Sequence, residues 1–151
     1  MNVEKEIKST IALGINQEAV INLLINANWI NEKSSEFFKQ YDISSQQYNV
    51  LRILRGKKGK AANLKDIQER MISKMSNTTR LIEKLRIKNY VTRIQCEENR
   101  RKIDIHISEA GLSLLETIDK NIGKHENNVV SGLTTEELQV LNKLLNKLRS
   151  K

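Results

Sequence analysis

Apolar residues in this chain recur at helical spacing near both ends, and near the middle they alternate with polar ones over a short stretch. Val20, Ile21, Leu23, Leu24, Ile25, Ala27, Trp29 and Ile30, then Phe37, Phe38 and Tyr41, predict a helix over 20–41 with a wide apolar face. Ser44 and Gln47 have capping-box spacing ahead of Tyr48, Val50, Leu51, Ile53 and Leu54, which predicts a second helix over 45–55. The GKKGK run at 56–60 ends it, because glycine permits the backbone conformations that a helix stop needs. NLKDIQERM and SNTTRLIEKLRIKNY are helical, with Thr78, Leu81, Ile82 and Leu85 at core spacing. In KIDIHI the period falls to two. Ile103, Ile105 and Ile107 share one strand face, with Lys102, Asp104 and His106 on the other. Val91 to Cys96 is the partner strand, and Glu97 to Arg101 makes the turn. Ser108 caps a further helix with a stripe of Leu112, Leu115, Ile118 and Ile122. Thr134 and Glu137 repeat the capping-box spacing ahead of Leu138, Leu141, Leu144, Leu145 and Leu148.

The order helix, helix, hairpin between Asn63 and Gly111 is the plan of a winged helix-turn-helix. The expected fold is therefore mainly α with a small β-hairpin wing, a winged helix-turn-helix flanked by N- and C-terminal dimerisation helices. In this organisation 44–108 is the DNA-binding module, and 1–43 with 109–151 is the helical dimerisation region of a single 151-residue domain. The two terminal stripes have few places to be buried within one chain. A two-fold homodimer buries them, and so does an intramolecular helical hairpin; the dimer is the simpler solution.

Charge adds a direction. The formal net charge is +8, and it is concentrated: residues 56–107 hold fourteen Lys and Arg against six acids, while the rest of the chain holds twelve of each sign. A basic module on a neutral scaffold is the footprint of a phosphate-binding protein, although Lys-rich faces are often merely solvated. At 151 residues the chain can bury a sizeable core. It has no apolar run near the ~18 residues that span a bilayer and no leader of basic then apolar residues, so a soluble cytoplasmic protein without membrane partners is expected. Cys96, the single cysteine, fits a reducing compartment. His106 and His125 lie apart from any Cys or carboxylate cluster with ligand spacing, so no metal or other cofactor is expected. No catalytic triad or glycine-rich phosphate loop is present, and enzyme activity is not expected.

Candidate chemistry falls on the second helix of the pair. Asn77, Arg80 and Lys84 step by three and four residues along one side. Asparagine and arginine suit bidentate contacts with adenine and guanine edges, and lysine reads guanine or holds a phosphate. Lys74, Ser76 and Thr79 lie near the helix start, where backbone N–H groups also favour a phosphate. An ordinary polar helix face has the same composition, but the position after a short helix and a turn is where this motif places base contacts. Arg100 and Arg101 sit at a hairpin tip, within reach of a narrow, negative minor groove.

The run LRIKNYVTRIQCEENRRKIDIHISEAG resembles the wing of the MarR family of transcriptional regulators. Leu85, Asn89, Tyr90, Val91, Arg93, Asn99, Arg101, Ile107, Ser108 and Gly111 occupy the places of the family pattern. The resemblance implies a homodimer that binds double-stranded, pseudo-palindromic DNA, usually as a repressor, often released by a small-molecule effector or an oxidant. By it, Asn77 and Arg80 belong to the major-groove helix, and Arg101, with Arg100 beside it, enters the minor groove. Two positions depart from the pattern. Asn89 replaces a glycine, a mild change because asparagine tolerates the left-handed conformation. Asn99 replaces the wing aspartate, which removes an ion pair to the arginine-bearing turn and implies a looser wing or weaker wing contacts.

In the family, effectors sit between the dimerisation helices and the DNA-binding module. Trp29, Phe38 and Tyr41 are the candidates to line such a pocket, with plain core as the alternative. Cys96 falls in a wing strand, away from the N-terminal helix where peroxide-sensing relatives carry theirs, so a structural cysteine is expected. Two other functions fit the same module. One is a winged-helix protein-interaction module without specific DNA binding. The other is an RNA-binding winged helix, disfavoured because Tyr90 is the sole aromatic in the basic segment.

Overall fold

The computed structural model describes residues 2–150. The chain divides into two compact units, Met1–Phe37 and Phe38–Lys151. In the first, α1 (Val3–Glu6) is capped by Asn2, whose side chain accepts from the Glu4 N–H at 2.8 Å. The Leu13 N–H donates to the Glu4 carboxylate at 2.8 Å and holds the connection that follows. α2 (Ile15–Lys39) starts five residues before the apolar pattern becomes dense, and its Val20, Leu23 and Leu24 are exposed. The sequence pattern showed neither α1 nor the early start of α2. A single helical turn holds too few apolar residues to display a period.

The second unit is built around α3 (Ser45–Gly56). Its capping box is complete, with Ser44 Oγ accepting from the Gln47 N–H at 3.1 Å and Gln47 Oε1 accepting from the Ser44 N–H at 2.8 Å. Tyr48, Val50, Leu51 and Leu54 are buried along it. Lys58 and Gly59 adopt positive φ directly after it, as a stop in the GKKGK run requires. Around α3 lie α4 (Leu64–Arg70), α5 (Thr78–Ile87), β1 (Val91–Gln95), β2 (Ile103–Ile107) and α6 (Glu109–Val129), and α7 (Thr135–Arg149) closes the order. They add Ile67, Met71, Ile82, Leu85, Val91, Ile105, Leu115 and Ile118 to one apolar core. A bidentate Arg55–Asp119 pair, 2.6 and 3.5 Å, joins α3 to α6 at the surface. The Asp119 hydrogen bond raises the already high pKa of the Arg55 guanidinium.

The hairpin is antiparallel, with Val91 opposite Ile107 and Gln95 opposite Ile103. Ala62 bridges the other edge of β2, donating to Ile105 O at 3.0 Å and accepting from its N–H at 2.8 Å. β2 is thereby paired on both sides, and Ile105 is fully buried. One bridging residue has no alternation to display, so the sequence pattern did not reveal it. The fold is mainly helical with a small β-hairpin: a winged helix-turn-helix module with helices before and after it.

The join between wing and α6 explains three residues at once. Asn89 takes φ +63°, so asparagine does occupy the left-handed turn where glycine is usual. Ser108 accepts from the Gly111 N–H at 3.0 Å as the N-cap of α6, and its hydroxyl donates to Asn89 O at 2.6 Å. A Cβ at Gly111 would stand 2.3 Å from Tyr90 O, so the first turn of α6 meets the turn that follows α5 at a distance only glycine allows. Among the α7 residues, by contrast, none is buried; Leu144 and Leu148 are 56% and 59% exposed.

Candidate nucleic-acid interface

α4 and α5 are short helices with capped starts. Asn63 and Asp66 form a capping box on α4, with 2.8 and 3.4 Å contacts. Ile67 and Met71 anchor α4 in the core, and Thr78, Ile82 and Leu85 anchor α5. The turn between them is tied on several sides. The Ile72 N–H donates to Asn49 Oδ1 at 2.9 Å, and Gln68 Nε2 donates to Lys74 O at 2.8 Å. The Ser76 N–H donates to Ser73 O at 3.2 Å, while Thr78 Oγ1 bonds to Gln68 Oε1 and Lys74 Nζ to Glu69 O. Every tie is polar, so the turn keeps its shape without burying most of its own side chains.

Asn77 is the N-cap of α5, ahead of its first turn, and its Oδ1 accepts from the Arg80 N–H at 3.1 Å. The sequence pattern had placed it on the helix face. As a cap it satisfies one of the free N–H groups at the helix start, and a bidentate adenine contact would require giving up that bond. Thr79, Arg80 and Lys84 are exposed along α5. Lys74 is exposed in the turn. Ser76 is partly buried, and its Oγ has no hydrogen-bond partner among the described residues.

Electrostatics on α5 favour an anion. Its one acid, Glu83, is matched by Arg86 at 2.7 and 3.0 Å and by Arg93 from β1 at 3.9 Å. The Arg86 hydrogen bond holds the Glu83 carboxyl below the usual carboxylate range, so it stays charged and neutralised while Arg80 and Lys84 add net positive charge. At the C-terminal end of α5, Lys88 pairs with Asp42 at 3.0 Å and anchors that end of the helix.

The wing carries Arg100 and Arg101 exposed at its tip. Asn99 Oδ1 accepts from the Arg101 N–H at 3.1 Å, and its backbone carbonyl accepts from the Lys102 N–H at 2.8 Å. Gln95 Nε2 donates to Arg100 O at 2.6 Å, and the Cys96 N–H donates to Lys102 O at 2.9 Å. The tip is thus held by neutral hydrogen bonds to its backbone, with the Asn99 amide oxygen, the Gln95 amide and the Cys96 N–H contributing, in place of an aspartate ion pair. Cys96, a free thiol, is partly exposed.

A groove of about 340 Å³ runs between the start of α4 and the wing, lined in part by Lys65, Asn99, Arg101 and Lys102. Lys65 and Lys102 were not among the sequence candidates, since thirty-odd residues separate them and only the wing's return over α4 brings them to one groove. Of the aromatic candidates, Trp29 lies in the first unit and is 41% exposed. Phe38 is buried with its ring on Tyr48, centroids 4.6 Å apart, and the Tyr41 hydroxyl accepts from Asn121 Nδ2 at 3.2 Å.

Comparison with known proteins agrees with this geometry. The sequence model of the MarR family matches residues 43–103, from the approach to α3 through the first residue of β2. The HTH-type transcriptional regulator PapX of Escherichia coli is 25% identical over 133 residues, covering 87% of this chain and 81% of PapX. Among solved structures, a MarR-like transcription regulator from Bacillus cereus superposes with a TM-score of 0.80 at 24% identity, over 89% of this chain and 95% of that one. A mutant MarR from E. coli complexed with operator DNA superposes with a TM-score of 0.76 at 19% identity, over 99% of each chain. The MarR family match thus lies on the winged module itself, and the chain shares the fold of these solved regulators.

Proposed function

We propose that this protein is a homodimeric transcriptional regulator that binds duplex DNA in a sequence-specific way, acting as a repressor on a pseudo-palindromic operator. The observation that carries the reading is the tied turn and capped start of α5, which hold Arg80 and Lys84 exposed on a helix whose one acid is neutralised. Rigid presentation of donors is what base readout needs, because each bidentate contact depends on orientation. Lys74, Ser76, Asn77 and Thr79 serve the helix start, holding phosphates or the cap. Asn99, Arg100 and Arg101 serve the wing in the minor groove, with Lys65 and Lys102 holding the backbone beside it. Residues 44–108 make the DNA-binding module, and 1–43 with 109–151 supply the dimer. A dimer sets two recognition helices roughly 34 Å apart, one turn of DNA. The relative solved with operator DNA supports the same reading. Release by a small-molecule effector completes it, and quenching of Trp29, the only tryptophan, is a direct way to screen for one.

The test is binding of the purified protein to its own promoter region and to a random duplex of equal length, titrated over salt. The expected result is preferential binding with a symmetric footprint and a steep loss with salt. Equal, weak binding to both duplexes would refute specific readout. Arg80→Ala should cost about 1–3 kcal/mol and relax base preference, whereas a uniform loss over all sequences would make Arg80 a phosphate contact only.

A further inference from the structure

The two most exposed large apolar side chains among the described residues are Met75, 95% exposed, and Ile72, 83% exposed. Both lie in the six-residue turn that leads into α5, in a surface otherwise made of Ser, Lys and Asn. Scattered exposed apolar residues need no explanation, but two extremes in one short turn do. The turn does not expose them through slackness. The same bonds that orient α5 hold it: Ile72 N–H to Asn49, Gln68 to the Lys74 carbonyl, and Ser76 N–H to Ser73. Met71, next in sequence, is fully packed in the core, so the backbone sorts its apolar residues into one anchor and two that project.

Met75 stands two residues before the N-cap Asn77, at the end of α5 that enters the groove in this type of module. The floor of a DNA major groove is polar except for one group, the C5-methyl of thymine. Resting on the function proposed above, we propose that Met75, assisted by Ile72, reads thymine methyl groups in the major groove and so contributes base specificity beside Arg80. An unbranched thioether adapts to a methyl whose height varies with local DNA shape. The cations on either side, Lys74 and Arg80, complement the phosphates that flank such a methyl. An anionic lipid surface also attracts cations next to apolar groups, but interfacial helices bury a whole apolar face in it, and this turn presents two side chains.

The experiment enriches duplexes from a random pool with the wild-type protein. It then compares the enriched duplex with the same duplex carrying deoxyuridine for every thymidine, which deletes only the methyl groups. Wild type should lose about fourfold in affinity for each methyl contact removed, the value of one buried methylene. Met75→Ala should lose a similar factor on the thymine duplex and little more on the uracil one, Met75→Leu should retain most of the thymine preference, and Ile72→Ala should show a smaller version of the Met75→Ala result. Because these side chains are exposed, the variants should fold as wild type does, which circular dichroism checks. Equal wild-type binding to both duplexes overturns the proposal, as does a uracil penalty of the same size in Met75→Ala. DNA binding unchanged in Met75→Ala, together with loss of binding to vesicles containing phosphatidylserine, would assign the turn to lipid and overturn it too. Failure to enrich any duplex would instead overturn the DNA-binding function itself, and this inference with it.

Discussion

α5 and α7 are both short amphipathic helices with a side chain capping the first turn, yet α5 buries Thr78, Ile82 and Leu85 whereas α7 buries none of its leucines. The two cap contacts are alike: Asn77 Oδ1 to the Arg80 N–H at 3.1 Å, and Thr134 Oγ1 to the Glu137 N–H at 3.2 Å. What differs is what each apolar stripe faces. The stripe of α5 has α3, α4 and β1 of the same chain beside it, while Val140, Leu141 and Leu144 on α7 line an open apolar groove of about 350 Å³. An amphipathic stripe therefore records that a helix needs a partner surface, without saying whether that surface is in the same chain. Under the proposed function, the surface that α7 faces belongs to a second copy.

The comparison can be broken first at the stripes themselves. Leu85→Ala removes a fully buried side chain and should cost about 2–5 kcal/mol in a denaturant titration of the wild-type and variant proteins. Leu144→Ala should leave the denaturant midpoint at low protein concentration within roughly 0.5 kcal/mol of wild type, as for other surface changes. The paired change Leu141→Lys with Leu144→Lys should instead shift the sedimenting species to half the mass and weaken operator binding roughly tenfold or more, with helicity retained. If the paired variant sediments like wild type, α7 does not supply the dimer contact.

Gly111 sharpens the comparison from inside the packed region. Gly111→Ala would drive a Cβ against the Tyr90 carbonyl and Ile107, and should cost about 1–3 kcal/mol or more by overpacking, read as a fall in thermal midpoint. Gly123→Ala, on the same helix where nothing stands within 4 Å, should be neutral or stabilising by up to about 1 kcal/mol. Similar losses at both positions would mean that the Tyr90 contact is not what selects glycine at 111.

The caps give the smallest effect. Ser108→Ala removes a cap that also donates to Asn89 O, and should cost about 1–2 kcal/mol. Thr134→Ala removes a cap with only local bonds and should cost about 0.5–1 kcal/mol, measured as lost helicity on mild heating. An equal cost at both sites would show that the Ser108 to Asn89 bond contributes nothing beyond capping.

Most of the module was legible in the sequence because its signals are local. The capping boxes at Ser44 and Thr134, the N-cap at Ser108, the GKKGK stop and the alternation of KIDIHI each act within a few residues, and each stands in the structure where the pattern put it. α1 and the Ala62 bridge were not legible, one because it is a single turn and the other because it is a single residue paired with a strand far along the chain. The helical face that groups Asn77 with Arg80 and Lys84 was a fair reading of spacing, but spacing cannot tell a residue in a helix from the cap one position before it.

Sequence alone determined most of the helical and strand segments and where the positive charge is concentrated, since propensity, capping and charge are carried by neighbouring residues, while the left-handed turn at Asn89 was implied by the family resemblance. Tertiary structure alone decided that Asn77 caps while Arg80 projects, that Lys65 joins Lys102 in one groove, that Gly111 must lack a side chain against Tyr90, and that Met75 and Ile72 stand in solvent while Met71 does not. Those outcomes depend on which distant segments meet, and a stripe or a charge in the sequence carries no record of the surface it will face.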